Sequence, residues 1–352
     1  MHKLETLGWK NEIEINTDNV ARVLTVQKNS YRISDGETDY LAHLSGKFLN
    51  EALSPIDFPA VGDWVEVQKL QDEKKAVIRK VLPRSSQFVR QAAGLRTDPQ
   101  IVAANIDTVF IVNSLNYDLN VRRIERYILL AYESGATPVV LLTKRDQATE
   151  EEIEQAISSV SEVAIGVPIL TISSLTGDGM EEFKKELPEG KTGALLGSSG
   201  VGKSTIINAL LGVQVQETKD IREDDSKGRH TTTHREMFLL PSGALLIDTP
   251  GMREISLWDG EAAMETTFQD IESLIEECRF TDCKHKTEPG CRVQEAMETG
   301  ELSEDRFQSY LKLQRELAFE KRKQDQKAKL EEKSRWKKVS KNQKDSYKYR
   351  TR

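Results

Sequence analysis

The chain has 352 residues, with 50 Lys/Arg against 57 Asp/Glu and 38% apolar residues. That length allows two or three domains with buried cores. No run approaches the roughly 20 apolar residues of a membrane span, and no cationic start precedes an apolar block, so a cytoplasmic protein is expected. Charge is uneven: residues 321–352 hold 14 Lys/Arg against 4 Asp/Glu, leaving the rest at about −17. An acidic body with a basic end suits docking on a polyanion.

Residues 1–90 read as short strands separated by turns. Val20 to Val26 and Tyr31 to Ile33 flank Asn29-Ser30, followed by Leu41 to Leu44, Trp64 to Val67 and Ala76 to Val81. Such spacing predicts a small RNA-binding β-barrel, OB-like or SH3-like. Residues 86–100 read as a linker. Over 91–260, apolar strands (Thr108 to Val112, Val139 to Leu142, Ile169 to Ser173, Ala194 to Leu196, Ala244 to Ile247) alternate with helical stretches at 121–134, 150–162, 179–187 and 203–211. That alternation predicts an α/β domain on a mostly parallel sheet. A helical region with a Cys/His cluster occupies 261–310, and 311–352 reads as a basic helix or disorder.

Gly197-Ser198-Ser199-Gly200-Val201-Gly202-Lys203-Ser204 is a complete phosphate loop. Its glycines let backbone N–H groups face phosphate oxygens, Lys203 can reach the β- and γ-phosphates, and Ser204 can ligate Mg²⁺. Thr205 continues into the helix whose positive end faces the same anion. The base is chosen elsewhere. Thr143-Lys144-Arg145-Asp146 follows an apolar strand, and a carboxylate at Asp146 can accept from guanine N1–H and N2–H₂, a donor pair adenine lacks. Lys144 can lay its stem over the base, and the backbone of Ser173-Ser174-Leu175 can donate to guanine O6. Asp248, ahead of Thr249-Pro250-Gly251, can hold Mg²⁺ through water, and Gly251 can donate to the γ-phosphate. Either Thr231 or Thr232 can close on Mg²⁺. Met252 stands where many GTPases carry a water-orienting Gln. A slow intrinsic rate is therefore expected, with His230 a candidate replacement.

Cys278-x4-Cys283-x-His285-x5-Cys291 uses every cysteine of the chain. An odd number crowded into 14 positions argues for a metal over a disulfide framework, and three thiolates with one imidazole suit structural Zn²⁺.

The guanine-reading segments precede the phosphate loop, the reverse of the usual order. This order, with Gly62-Asp63-Trp64-Val65, Ala103-Ala104-Asn105-Ile106-Asp107, Gly228-Arg229-His230-Thr231-Thr232, Asp282-Cys283-Lys284-His285 and Glu288-Pro289-Gly290-Cys291, resembles the circularly permuted ribosome-assembly GTPases of the RsgA/YjeQ type over nearly the whole chain. Two departures are an apparent N-terminal addition at 1–15, containing Leu7-Gly8-Trp9, and Leu49 where such barrels often carry a basic residue. The resemblance implies an OB-like barrel, a permuted P-loop GTPase domain and a C-terminal helical zinc-binding domain. It further implies GTP/GDP with Mg²⁺ and one Zn²⁺, a monomer without membrane contact, and late maturation of the small ribosomal subunit through its rRNA, with release on hydrolysis. The rival readings are an RNA-binding assembly scaffold with GTP as a structural ligand, and an ATP-using phosphate-loop enzyme.

Overall fold

Alternating apolar side chains close five short strands into a barrel. The computed structural model describes residues 4–10, 15–28, 30–70, 73–91, 99–116, 119–213, 235–248, 257 and 260–323. In it β1 (Val20–Val26), β2 (Tyr31–Ser34) and β3 (Asp39–Leu44) form an antiparallel meander. Helix α1 (Gly46–Glu51), N-capped by Ser45, follows, then β4 (Trp64–Leu70) and β5 (Lys75–Val81). β3 pairs parallel with β5, and β4 returns to β1. That circuit is OB-like and removes the SH3-like alternative, which periodicity could not do because pairing is long-range. Val23, Ile33, Val65, Val67 and Ile78 fill the interior.

The expected linker at 86–100 is instead an antiparallel hairpin, β6 (Gln87–Gln91) with β7 (Pro99–Ala104). Its polar composition hid two strands, whose Phe88, Ile101 and Val102 are buried.

The α/β domain follows in chain order: β8 (Thr108–Ser114), α2 (Val121–Ser134), β9 (Thr137–Thr143), α3 (Glu150–Ser161), β10 (Ile169–Thr171), α4 (Met180–Lys185), β11 (Thr192–Gly197), α5 (Lys203–Leu211), β12 (Glu236–Leu239) and β13 (Leu245–Asp248). In space the strands run β10-β9-β8-β11-β13-β12, parallel except β12. Near-continuous apolar strands belong in such a sheet because helices can cover both faces. Phe110, Val112, Leu141, Leu195, Ile206 and Leu246 make one core, with Phe183 edge-on to Phe110 at 4.7 Å.

Barrel and α/β domain belong to one compact unit, Met1–Ser256. β12 meets β1 at Thr25↔Glu236, so one eleven-stranded sheet runs from β10 to β4, and Arg32 ion-pairs with Glu236 at 2.6 Å. The joint is close. A Cβ on Gly62, at φ +90°, would lie 2.1 Å from the Ala104 carbonyl oxygen, so only glycine fits. Fully buried Arg22 donates to the carbonyls of Leu7, Gly62 (3.2 Å) and Asn105 (3.0 Å), and lies over Trp64. Burial pulls its pKa down to about 10, against the raising influence of Asp107 and Asp63. The N-terminal segment is thus built in: Leu4, Leu7 and Trp9 are buried, and Trp9 meets Trp64 edge-on at 4.8 Å. Arg22→Met should cost about 3–5 kcal/mol in urea unfolding, because the carbonyls of Leu7 and Asn105 lose this donor and that of Gly62 keeps only Asn105 Nδ2. A loss below about 1 kcal/mol would show that Arg22 does not brace the joint.

The second unit, Leu257–Arg352, is helical in its described part. It holds α6 (Glu261–Thr267), α7 (Gln269–Glu276), α8 (Arg292–Thr299) and α9 (304–323). Phe268, Ile271, Val293, Phe307 and Tyr310 are buried. Buried Arg306 grips both oxygens of Asp270 at 2.7 Å and lies over Phe268. Among the described residues no helix is long and apolar enough to cross a membrane.

Candidate guanine-nucleotide and metal sites

The centre of the parallel sheet carries the phosphate loop. β11 ends at Gly197 and α5 begins at Lys203. A Cβ on Gly197 would sit 2.4 Å from the Val112 carbonyl oxygen, and Gly202 has φ +99°, so the loop conformation excludes side chains at both positions. Ser198 and Val201 are buried, while Ser199 and Gly200 are exposed and Ser204 and Thr205 are half-buried. The Lys203 ammonium donates to the carbonyls of Gly197 (2.8 Å) and Ser198 (2.5 Å), which places it at the loop. This is a cradle shaped for a chain of phosphates.

The guanine-reading candidates come to the same edge of the sheet despite their earlier place in the sequence. β8, β9, β10 and β11 are parallel neighbours, so their C-terminal ends lie on one edge. Buried Thr143 donates its hydroxyl to the Val201 carbonyl at 2.7 Å, tying the candidate base-reading turn to the loop. Lys144 takes the left-handed conformation at φ +63°, uncommon for a residue with a side chain and frequent where function fixes the backbone. Arg145 N–H donates to Ile172 O. Ser173 Oγ donates to Asp146 Oδ1 at 2.5 Å, so the two segments meet directly. Ser174 is half-buried and Leu175 exposed. Asp248, buried, ends β13 two strands from β8. Gly251, His230, Thr231 and Thr232 lie outside the described residues. A groove of about 730 Å³ between α1, β5 and the end of α2 is lined by none of these residues.

Two features of the site were not singled out from sequence. Arg123, in the first turn of α2, donates from Nη1 to Ser198 Oγ at 2.5 Å, and Asn120 caps that turn by accepting from Arg123 N. The signal was present: α2 follows β8, and a permuted sheet sets β8 beside β11. Asn113, one residue past the Val112↔Gly197 pair, is buried with neither amide atom hydrogen-bonded. An orphaned buried amide is uncommon in a folded protein.

In the helical unit the ligand atoms of Cys278, Cys283, His285 and Cys291 lie within 4.8 Å of one another. Cys278 Sγ is 3.6 Å from His285 Nδ1 and 4.0 Å from Cys291 Sγ, and Cys291 Sγ is 3.5 Å from His285 Nδ1. A zinc tetrahedron with bonds of about 2.3 Å has edges of about 3.8 Å, so the donor set fits Zn²⁺. Burial first, then the neighbouring thiols, push the Cys291 thiol up to about 11; a shared divalent cation relieves that crowding. Glu288 holds the loop by accepting from the N–H groups of Lys284, Lys286 and Thr287.

Comparison with known proteins bears on the same residues. The model of the RsgA GTPase family matches 81–258. That of the ABC transporter matches 180–344; it includes the phosphate loop but begins after Asp146 and Ser173, leaving out the base-reading segments. The chain is 49% identical over 337 residues, covering 94% of it and 95% of the relative, to the small ribosomal subunit biogenesis GTPase RsgA 1 of Oceanobacillus iheyensis. It superposes on the crystal structure of YjeQ from Thermotoga maritima with TM-score 0.61 and 28% identity, covering 85% and 98% of the two chains. On YloQ, described as a circularly permuted GTPase, the TM-score is 0.59 with 22% identity over 85% and 94%. Barrel, reordered GTPase sheet and cysteine cluster together with these matches show that the chain belongs to the RsgA GTPase family and is a GTP hydrolase.

Proposed function

We propose that the protein is a slow GTP-hydrolysing switch in late maturation of the small ribosomal subunit, bound to its rRNA and released on hydrolysis. The observation that carries this reading is the Thr143–Val201 hydrogen bond, which gathers base-reading and phosphate-binding segments at one sheet edge, in a chain whose relatives are named for biogenesis of that subunit. Asp146 reads guanine, with Ser173, Ser174 and Leu175 beside its O6, while Lys144 covers the base. Lys203 and the amides of 197–205 hold the phosphates. Mg²⁺, when bound, neutralises charge on the β- and γ-oxygens. Ser204, Asp248 and one of Thr231 and Thr232 hold it, Gly251 senses the γ-phosphate, and His230 assists the water that Met252 cannot orient. The Cys278, Cys283, His285 and Cys291 set holds Zn²⁺ as a structural clamp. The chain acts as a monomer. The basic residues of 321–352 hold RNA phosphates.

GTP turnover with and without purified small subunits tests this reading. Subunits should raise the rate at least tenfold, whereas an assembly scaffold with structural GTP would show no change. Removing 321–352 should weaken subunit binding and flatten its salt dependence by several units of log–log slope, leaving nucleotide affinity unchanged. Subunit binding unaltered by that truncation would remove the role of the tail.

A further inference from the structure

Arg145 stands between Lys144 and Asp146 and binds three neighbours at once. Its backbone N–H donates to Ile172 O at 3.1 Å, its Nη1 to Thr171 Oγ1 at 2.8 Å, and its Nη2 to both carboxylate oxygens of Glu150 at 2.9 and 3.2 Å. Thr171 ends β10 and leads through Ile172 into Ser173-Ser174-Leu175, while Glu150 opens α3. A planar guanidinium thus fastens the turn at 143–146 to the stem of the segment at 173–175. That stem has little freedom of its own. A Cβ on Gly179 would lie 2.1 Å from Thr171 O, and Ser173 N–H donates to Asp178 O at 2.9 Å, so the loop closes tightly on the residue that Arg145 holds. The turn needs such a hold, because Lys144 at φ +63° is in a conformation that persists only where its surroundings enforce it. Of the side-chain bonds, the one to Thr171 matters more. Glu150 is 75% exposed, and ion pairs in water contribute little, whereas Thr171 is half-buried. Ser173 Oγ on Asp146 joins the two segments at their tips, and Arg145 joins them at their base.

We propose that Arg145 is a positioning residue for guanine selectivity: through Thr171 and Ile172 it sets the spacing between Asp146, which accepts from N1–H and N2–H₂, and the amides of 173–175, which face O6. The donors and acceptor on the guanine edge have fixed separations, and a hydrogen bond weakens steeply once its angle or distance drifts. A shift of one segment against the other therefore spoils the match on both sides of the base. Arg145 does this without touching the nucleotide. The inference rests on Asp146 reading guanine and deepens that reading.

The test is equilibrium binding of GDP, IDP and XDP to the full-length protein, with GTP turnover measured beside it. IDP lacks the 2-amino group, so the preference for GDP over IDP reports how well Asp146 is placed. Arg145→Ala should raise the Kd for GDP about tenfold and shrink that preference by at least about threefold. In turnover the loss should fall on KM more than on kcat, since contacts to the base hold ground state and transition state alike. Thr171→Val removes only the acceptor and should give most of the same loss. The double variant should be no worse than Arg145→Ala, because both changes cut one bond. Arg145→Lys keeps the charge but cannot span Thr171 and Glu150 together, so it should stay closer to the alanine variant than to wild type. A preference that shrinks less than about threefold would overturn the proposal, whatever happens to affinity. So would additive losses in the double variant, the signature of two separate braces. Should Arg145→Ala fail to fold, Thr171→Val is read against the same criterion. Asp146→Asn in the same assay tests the guanine reading itself. A move to XDP there, with an unchanged preference in Arg145→Ala, removes the clamp alone; no move removes both.

Discussion

Asp146→Asn should lower GTP affinity by about 10³–10⁴-fold and make the xanthosine nucleotide the preferred ligand, because a site built around a donor pair rejects a ligand that cannot match it. The structure adds a reason why the exchange should be clean. Ser173 Oγ donates to Asp146 Oδ1, and its hydroxyl will still need an acceptor in the variant. The asparagine therefore turns its carbonyl oxygen to Ser173 and its NH₂ to the base, where xanthine offers a C2 carbonyl in place of the guanine amine. Competition between fluorescent GDP and XDP measures the switch. Equal, weak binding of both nucleotides by a folded variant would show that Asp146 does not read the base. Ser173→Ala in the same background should weaken the preference by releasing the amide.

Loss of the metal should have the second large effect. The helical unit has a small core built around Phe268, Ile271, Val293, Phe307 and Tyr310, and domains that small are marginal without a staple. Structural zinc sites contribute on the order of 10 kcal/mol to folding. Metal analysis should find one zinc per chain. A strong chelator, or Cys283→Ser, should cost the helicity of α8 and its neighbours and bring a separate melting transition far below that of the rest. His285 packs edge-on against Phe307 at 5.9 Å, and Gln294 donates to the His285 carbonyl at 2.6 Å, so ligand and core loosen together. GDP affinity should change little, since every candidate nucleotide residue lies within Met1–Ser256. Unchanged helicity after full zinc removal would refute the staple.

Much of this was legible in the sequence because it rests on local rules. The phosphate loop is contiguous, each strand of the α/β domain is a short apolar run, and four candidate metal ligands fall within 14 positions. What stayed hidden depends on residues far apart in the chain. The pairing of β3 with β5 decides the barrel type, yet nothing in either strand names its partner. The hairpin β6–β7 read as a linker because its polar residues come with Gly94 and Pro99. Nothing local to Arg22 or Arg123 marks either one. Only the packed structure sets one inside a joint and the other on the phosphate loop. The N-terminal segment, read as an addition to the family pattern, gave no sign that Leu7 and Trp9 would pack against Arg22 and Trp64 as part of the joint.

The β1–β12 pairing at Thr25↔Glu236, which joins the barrel strands to the GTPase sheet, has a practical corollary for anyone shortening this chain. Cutting away the first 82 residues would not liberate a self-sufficient catalytic core. It would bare one flank of β12, whose amides and carbonyls are a template for strangers, and leave Glu236 without Arg32. Such fragments should self-associate, whereas point changes in the intact barrel should not.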